Sequence, residues 1–100
     1  MEAEAELPEG FLLSQNYPNP FNPTTTIEFS LPKKLYTLLE IFNIEGKKVQ
    51  TQVDQVLSAG PHKIVWNASF SDKTKAPTGI YFYRLKSGEF EDSNKMILTK

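Results

Sequence analysis

The sequence contains no cysteine, which excludes disulfide bonds, thiolate catalysis and thiolate metal sites. It contains one histidine, so a catalytic triad or a histidine-based metal site would have to include His62. Its neighbours Pro61 and Lys63 place His62 at the start of a predicted strand, and no triad or ligand spacing surrounds it. We therefore interpret His62 as a solvated side chain.

Long hydrophobic runs and an excess of one charge are also lacking. No run approaches the ~20 apolar residues that span a bilayer. The first residues are acidic where a signal peptide needs a basic flank and an apolar stretch, so we expect that they do not export the chain by themselves. The formal net charge is −1 and no basic stripe is present, so nucleic acid is not an expected partner.

The length of 100 residues is enough for one hydrophobic core and not for two. Residues 1 to 10 begin as alternating glutamate and alanine with no apolar face to bury, so we interpret them as a linker or a cloning remnant. Residues 11 to 100 then form the single folded domain. Hydrophobic residues make up 39% of the chain, which lets burial offset the entropy lost on folding.

A period of two dominates the middle of the chain. Residues 27 to 31 alternate apolar and polar side chains and stop at a proline, as a half-buried strand does. Residues 35 to 44 also predict a strand because of their β-branched and aromatic content. A helix is the alternative there, since Leu38, Leu39 and Phe42 match helical spacing.

Four further strands are predicted. Residues 49 to 57 alternate weakly, which indicates an edge or bulged strand, and residues 62 to 66 indicate a short strand. Residues 79 to 86 are apolar on both faces and predict a central strand, and residues 90 to 98 follow a hairpin as the closing strand. The pattern predicts an all-β antiparallel sandwich, immunoglobulin-like or fibronectin-III-like, of about seven strands.

Few residues suggest chemistry. The carboxylates of the folded part fall mostly opposite apolar residues or in turns, which a solvated surface explains. A calcium site would use Asp72 and nearby loop oxygens, but the alternating aspartates of a calcium loop are missing. An exposed aromatic platform for sugars would draw on Trp66, Tyr81, Phe82 and Tyr83. Because most of these lie in the strongest strands, core packing is the simpler account. We predict no enzyme, no catalytic or metal-binding residue and no cofactor.

The proline segment, residues 16 to 24, is the most unusual stretch. Its three prolines fix φ and remove backbone donors, so we expect neither helix nor strand ladder there. We predict a stiff extended loop that leads into the strand at Ile27. Its structural residues are Pro18, Asn19, Pro20 and Phe21. We expect Tyr17 and Phe21 to pack over one end of the sandwich.

Four motifs follow one another along the chain. They are YPNPFNPTT at residues 17 to 25, LEIFNIEGKKV at residues 39 to 49, GIYFYRL at residues 79 to 85 and KMILTK at residues 95 to 100. In this order they closely resemble the type A C-terminal sorting domain of the bacterial type IX secretion system. The resemblance covers about residues 11 to 100, and four ordered motifs make it specific.

The resemblance implies an immunoglobulin-like domain appended to a larger cargo protein that is absent from this chain. It implies export through the periplasm to the cell surface or the medium, recognition by the translocon or its shuttle, and removal by a sortase-like protease that cuts upstream of Phe11. The recognition residues would be Gly79, Ile80 and Tyr81 in the glycine-led strand and Lys95, Met96, Ile97, Leu98 and Lys100 in the terminal strand.

The chain departs from the family pattern at two turns. Glu45 stands where the family usually has an apolar residue before the turn glycine. Asn67 and Ala68 replace a common Asp-Gly pair after the tryptophan. Both departures lie in predicted loops, so they bear on the geometry of these two turns more than on the resemblance to the family.

Fold alone leaves two other functions open. The first is a carbohydrate-binding or cell-attachment module of a secreted enzyme, which would need an exposed aromatic row. The second is a structural spacer with no partner of its own. Dimers formed through edge strands, above all residues 49 to 57, are a further option that nothing in the sequence fixes.

Overall fold

The computed structural model describes residues 10 to 100, so the predicted linker lies outside the described residues except for Gly10. This part of the chain folds into seven strands and contains no helix, which confirms the all-β prediction and excludes a helix over residues 35 to 44. The strands are β1 (Leu12–Leu13), β2 (Thr25–Leu31), β3 (Leu35–Asn43), β4 (Lys48–Leu57), β5 (Gly60–Trp66), β6 (Gly79–Ser87) and β7 (Phe90–Leu98). Among the described residues, no helix long and apolar enough to cross a membrane is found.

The strands form two antiparallel sheets. One has three strands in the order β1-β2-β5, and the other has four in the order β4-β3-β6-β7. The predicted central strand β6 lies between β3 and β7, and β4 is an edge strand as predicted. The pairing of β3 with β4 shifts register at two places, between Leu39 and Glu40 and between Ile41 and Phe42. Such shifts are β-bulges, which increase the twist of an edge strand and disfavour pairing with other chains.

The core lies between the two sheets, and alternate residues of most strands contribute to it. In β2, Ile27, Phe29 and Leu31 are buried, while the residues between them are half-buried. Trp66 of β5 and Tyr83 of β6 are the largest of the fully buried side chains. Burial of each large apolar side chain stabilises the fold by roughly 1.5–3 kcal/mol. The same alternation decides which side chains of each strand remain accessible to a partner.

The proline segment crosses from one sheet to the other. Tyr17 forms an antiparallel bridge with Thr26 of β2, and Phe21 forms a parallel bridge with Leu98 of β7. The prediction that this segment makes no ladder is therefore wrong at these two residues, because both keep a backbone N–H that the prolines lack. Phe21 is 1% exposed and lies 5.9 Å from the Trp66 ring, as predicted for a residue that closes the sandwich.

Tyr17 does not pack on the sandwich end, which corrects a second expectation. Its side chain is 47% exposed, and its hydroxyl donates a hydrogen bond to the Glu28 carboxylate on the outside of β2. A tyrosine can leave its ring at the surface when its hydroxyl finds a charged acceptor. This hydrogen bond raises the pKa of Tyr17 above its ordinary value.

The two turns that depart from the family pattern keep a tight geometry. Ala68 is buried and has φ of 61°, in the left-handed region that favours glycine. The chain therefore keeps at Ala68 the backbone conformation that a glycine adopts without strain. In the turn between β3 and β4, the Asn43 side chain accepts hydrogen bonds from the backbone N–H groups of Glu45 and Lys47, each at 2.9 Å. Glu45 itself is exposed and needs no apolar neighbour.

Candidate recognition site

The hairpin of β6 and β7 brings the predicted recognition residues together. Gly79 lies opposite Leu98, Ile80 opposite Ile97 and Tyr81 opposite Met96. The two stretches are neighbours because the turn after Ser87 reverses the chain and fixes the register of nine residue pairs. Lys95 directly precedes Met96 in β7 and lies opposite Phe82, and Lys100 follows the strand.

These residues point to two different sides of the sheet. Tyr81, Met96 and Leu98 point into the core and are 4%, 0% and 4% exposed. Ile80 and Ile97 are half-buried on the outer face. In the folded domain the three core residues hold the hairpin on the sandwich, and contact with a partner would fall to the outward ones.

Phe82 belongs to the same outer face, although sequence reasoning named it only for a sugar platform and not among the recognition residues. It lies opposite Lys95 of β7 and opposite Phe42 of β3. Its position two residues after Ile80 is the signal that could have identified it, because strand residues two apart share a face. The outer face near β7 is thus apolar and carries a lysine at its border.

Farther from the end of β7, charges on the outer face are paired. Arg84 lies 3.1 Å from the Glu40 carboxylate and 3.7 Å from that of Glu91, and Lys48 lies 3.4 Å from Glu40. The Arg84 guanidinium also stacks 4.7 Å from the centroid of the Phe42 ring. Glu40 is only 7% exposed, and two cationic neighbours offset the cost of burying its charge.

The outer edge of β7 is covered by the strap, which we define as residues 14 to 21. The Gln15 side-chain amide donates to the carbonyl of Lys95 at 2.8 Å. The Asn19 side-chain oxygen accepts a hydrogen bond from the backbone N–H of Ile97 at 2.9 Å. These side chains occupy backbone groups that an unprotected edge strand would offer to another chain.

The strap also pairs with β7 through its own backbone. The N–H of Phe21 donates to the carbonyl of Ile97, and the N–H of Thr99 donates to the carbonyl of Phe21, both at 2.9 Å. At Phe21 the strap therefore acts as a short additional strand beside the end of β7. No local sequence pattern signals this contact, because its partners are separated by almost the whole domain.

Tyr83 bonds the strap to the core. Its ring is fully buried, and its hydroxyl donates to the carbonyl of Ser14 at 2.6 Å. The same oxygen accepts hydrogen bonds from the backbone N–H of Asn16 at 2.8 Å and from the Asn94 side chain at 3.2 Å. Burial raises the pKa of Tyr83. One side chain thus ties both the strap and β7 to the core.

A cleft of about 470 Å³ lies where the chain ends beyond β7. It is lined by Asn22, Pro23, Asn67, Ala68, Lys75, Ala76, Thr78, Leu98, Thr99 and Lys100. The cleft is open to solvent and mixes amide, lysine and methyl groups. It places Lys100 beside the end of the proline segment.

Other residues considered for chemistry have structural partners. The Asp72 carboxylate accepts hydrogen bonds from the Thr74 hydroxyl at 2.6 Å and its N–H at 3.0 Å, which lowers the pKa of Asp72. Within residues 10 to 100 no cluster of three or more acidic or histidine side chains could hold a metal ion. His62 stacks on Phe29, with its Nε2 atom 2.9 Å from the carbonyl oxygen of Ser58.

The aromatic residues do not form a sugar-binding row. Trp66, Tyr81 and Tyr83 are 1%, 4% and 0% exposed, and Phe82 is half-buried. The exposed tyrosines, Tyr17 and Tyr36, lie beside different sheets. A flat stacking surface needs several exposed rings side by side, which this arrangement lacks.

Fold and surface together define an immunoglobulin-like β-sandwich whose distinctive feature is its terminal hairpin. Residues 15 to 99 match the family described as the secretion system C-terminal sorting domain. The chain belongs to this family, which confirms the predicted resemblance and the predicted export to the cell surface or the extracellular medium. No curated protein matches the chain.

Two solved structures from Porphyromonas gingivalis share the fold. Dimeric latent PorU matches at 22% identity and a TM-score of 0.68 over 90% of this chain. PorZ, an essential bacterial surface component of the type-IX secretion system, matches at 18% identity and a TM-score of 0.62 over 92% of this chain. The matched regions are 9% of PorU and 12% of PorZ, so the chain corresponds to a small part of each.

Proposed function

We propose that this domain is a sorting signal that directs an attached cargo across the outer membrane by the type IX secretion system. The observation that carries the proposal is the family match over residues 15 to 99. The likeness to PorZ, a component of that system, supports it. In this role the domain is recognised and does not catalyse, in keeping with a terminal hairpin whose outward residues near the end of β7 are apolar or basic.

The proposed partners are the translocon or its shuttle and a sortase-like protease. The protease would cut upstream of Phe11, as the family resemblance implies. The Phe11 ring stacks on Phe90 with 4.3 Å between centroids, so Phe11 belongs to the folded body. Gly10 is exposed. A cut before Phe11 would therefore release the cargo and leave the sandwich intact.

The proposed test is a reporter fused between a signal peptide and residues 7 to 100, expressed in a bacterium that has the type IX system. The reporter should reach the surface or the medium, and deletion of residues 95 to 100 should abolish this export. The deletion also removes core side chains, because Met96 and Leu98 are buried. A second variant that keeps the core is therefore needed. The double substitution Lys95→Glu and Lys100→Glu changes only exposed residues and should also lower export. Normal export of the truncated fusion would refute the proposal.

We further propose that two copies pair through β4. Residues 53 to 57 read Val-Asp-Gln-Val-Leu. Antiparallel pairing about Gln55 would set Asp54 against Val56 of the other copy, so that no like charges oppose each other. Val56 is 52% exposed and lies opposite Tyr36, which is 55% exposed. Pairing would place a strand of the second copy beside Val56 and extend the four-stranded sheet.

A further inference from the structure

A partner can recognise an edge strand in two ways. It can add a strand of its own and bond to the backbone along the edge, or it can contact the side chains on the outer face of the sheet. The two modes need different parts of β7. The first needs unpaired N–H and C=O groups at the edge, and the second needs accessible side chains that are not spent on the core.

From Lys95 onward, the edge of β7 has few groups left for strand addition, whereas the strap does not reach Glu91. Four residues on this side of the strand carry bonds. The N–H of Ser93 donates to the neighbouring Asp92 carboxylate at 2.9 Å. The strap bonds to the carbonyl of Lys95, to both backbone groups of Ile97 and to the N–H of Thr99. Strand addition would have to break these bonds and displace Phe21, which is 1% exposed.

The outer face at the same place is available. We define the outer patch as Ile80, Phe82, Lys95 and Ile97, which are neighbours through the pairing of β6 with β7. Its three apolar side chains are half-buried, and Lys95 is exposed. Lys95 forms no ion pair with any of residues 10 to 100, whereas Arg84 on the same face has two carboxylates. Its charge can therefore attract a carboxylate on a partner.

We propose that the export machinery reads β7 with its edge closed by the strap, through the outer patch. The partner surface would be a protein surface with apolar side chains bordered by a carboxylate that faces Lys95. This inference rests on the proposed sorting function and specifies its contact mode. It also assigns a recognition role to Phe82, and it gives the buried residues Tyr81, Met96 and Leu98 only a supporting role.

The test uses the reporter fusion described above and two matched pairs of variants. Phe82→Gln removes an outer-patch ring, and Val65→Gln removes a more exposed apolar side chain on the other sheet, outside both proposed interfaces. Lys95→Glu reverses the patch charge, and Lys34→Glu reverses an exposed lysine in the turn before β3. We expect Phe82→Gln and Lys95→Glu each to lower export about tenfold, as loss of an interface anchor does, and the two controls to export normally. Thermal melts of the purified domains verify folding.

A third variant tests whether the edge opens. The carbonyl of Ser14 and the Asn94 side chain are 3.3 Å apart across the strap and β7, and neither residue belongs to the outer patch. Where Ser14→Cys with Asn94→Cys forms a disulfide in the oxidising periplasm, which non-reducing electrophoresis detects, the bond ties the strap to β7, since the chain has no other cysteine. The cross-linked protein should export as the unmodified domain does.

The outcomes separate the two proposals. If the unmodified fusion stays in the periplasm, the sorting function itself is wrong. If it is exported and both outer-patch variants are exported equally well, only the face-reading inference is overturned. Loss of export on cross-linking would also overturn it, because the edge would then have to open. Where the disulfide does not form, the outer-patch variants decide the question by themselves.

Discussion

The two edges of the four-stranded sheet are protected in different ways. At β7 the strap covers the strand from Lys95 to Thr99 with backbone and side-chain hydrogen bonds. At β4 only the first part is covered, because the N–H of Ser71 donates to the carbonyl of Val49 at 2.9 Å. Apart from β3, no part of residues 10 to 100 bonds to the backbone of residues 53 to 57.

This difference separates a closed edge, whose outer face we propose as the recognition surface, from an open edge. A closed edge leaves one fixed arrangement of outward side chains for a partner to contact. An open edge offers unpaired backbone to any extended chain, and natural proteins limit that risk with bulges and charges. In β4 the register shifts lie before Val53, so residues 53 to 57 remain available to a second copy. The following predictions test whether the strap is what makes the two edges different.

The largest effect is expected from Phe21→Ala. Phe21 anchors the strap in the core, so its truncation should destabilise the domain by about 3–5 kcal/mol. Tyr17→Phe is the matched control, because it removes only an exposed hydrogen bond and should change stability by less than about 0.5 kcal/mol. Urea unfolding of both purified variants measures the difference. Equal stability of the two would mean that the strap is not held by Phe21.

Tyr83→Phe should have the next largest effect. It removes three hydrogen bonds and leaves the buried N–H of Asn16 without its partner. The expected loss is about 2–3 kcal/mol. Tyr81→Phe removes one bond, from the hydroxyl to the carbonyl of Pro77 at 2.6 Å, and should cost about 1 kcal/mol. A loss for Tyr83→Phe no larger than for Tyr81→Phe would argue against the anchoring role.

Alkaline pH should weaken the same anchor. Burial raises the pKa of Tyr83 above 10.0, its ordinary value, so the folded state favours the neutral hydroxyl. As pH rises past 10.0 the unfolded chain loses this proton first, and stability falls until the folded pKa is passed. The pH dependence of urea unfolding should therefore be steeper in the unmodified domain than in Tyr83→Phe. Identical profiles would contradict this account.

The smallest effect on stability is expected at β4. Val56→Lys places a charge on an exposed edge residue and should change stability by no more than about 0.5 kcal/mol. It should nevertheless abolish pairing of two copies, which sedimentation at increasing concentration would detect. Val65→Lys, at a side chain 58% exposed on the other sheet, should leave pairing unchanged. A purely monomeric unmodified domain would rule out the proposed dimer.

Strand positions could be predicted from the sequence because alternation is a local signal. The closing strand has the predicted bounds, residues 90 to 98. β1 was missed, since its two residues are too few to show a period. Tyr17 was misplaced because an aromatic side chain suits both a core and a surface with a polar acceptor.

The candidate site was predictable only in part. A hairpin brings neighbouring strands together, so the pairing of residues 79 to 81 with residues 96 to 98 follows from local sequence. Alternation along β7 already indicates that Met96 and Leu98 point away from Ile97. The strap is different, because Gln15 bonds to a residue 80 positions later in the chain and Asn19 to a residue 78 positions later. Contacts of that kind depend on how the whole sandwich closes.

Amide hydrogen exchange measured by NMR on Val56→Lys, the variant expected to be monomeric, tests the closed edge most directly. The N–H groups of Ile97 and Thr99 are bonded to the strap, so they should exchange only through global unfolding and be among the slowest. Those amides of residues 53 to 57 that do not bond to β3 should exchange rapidly. If Ile97 and Thr99 exchange as fast as these β4 amides, the strap does not close β7 in solution and the distinction between the two edges fails.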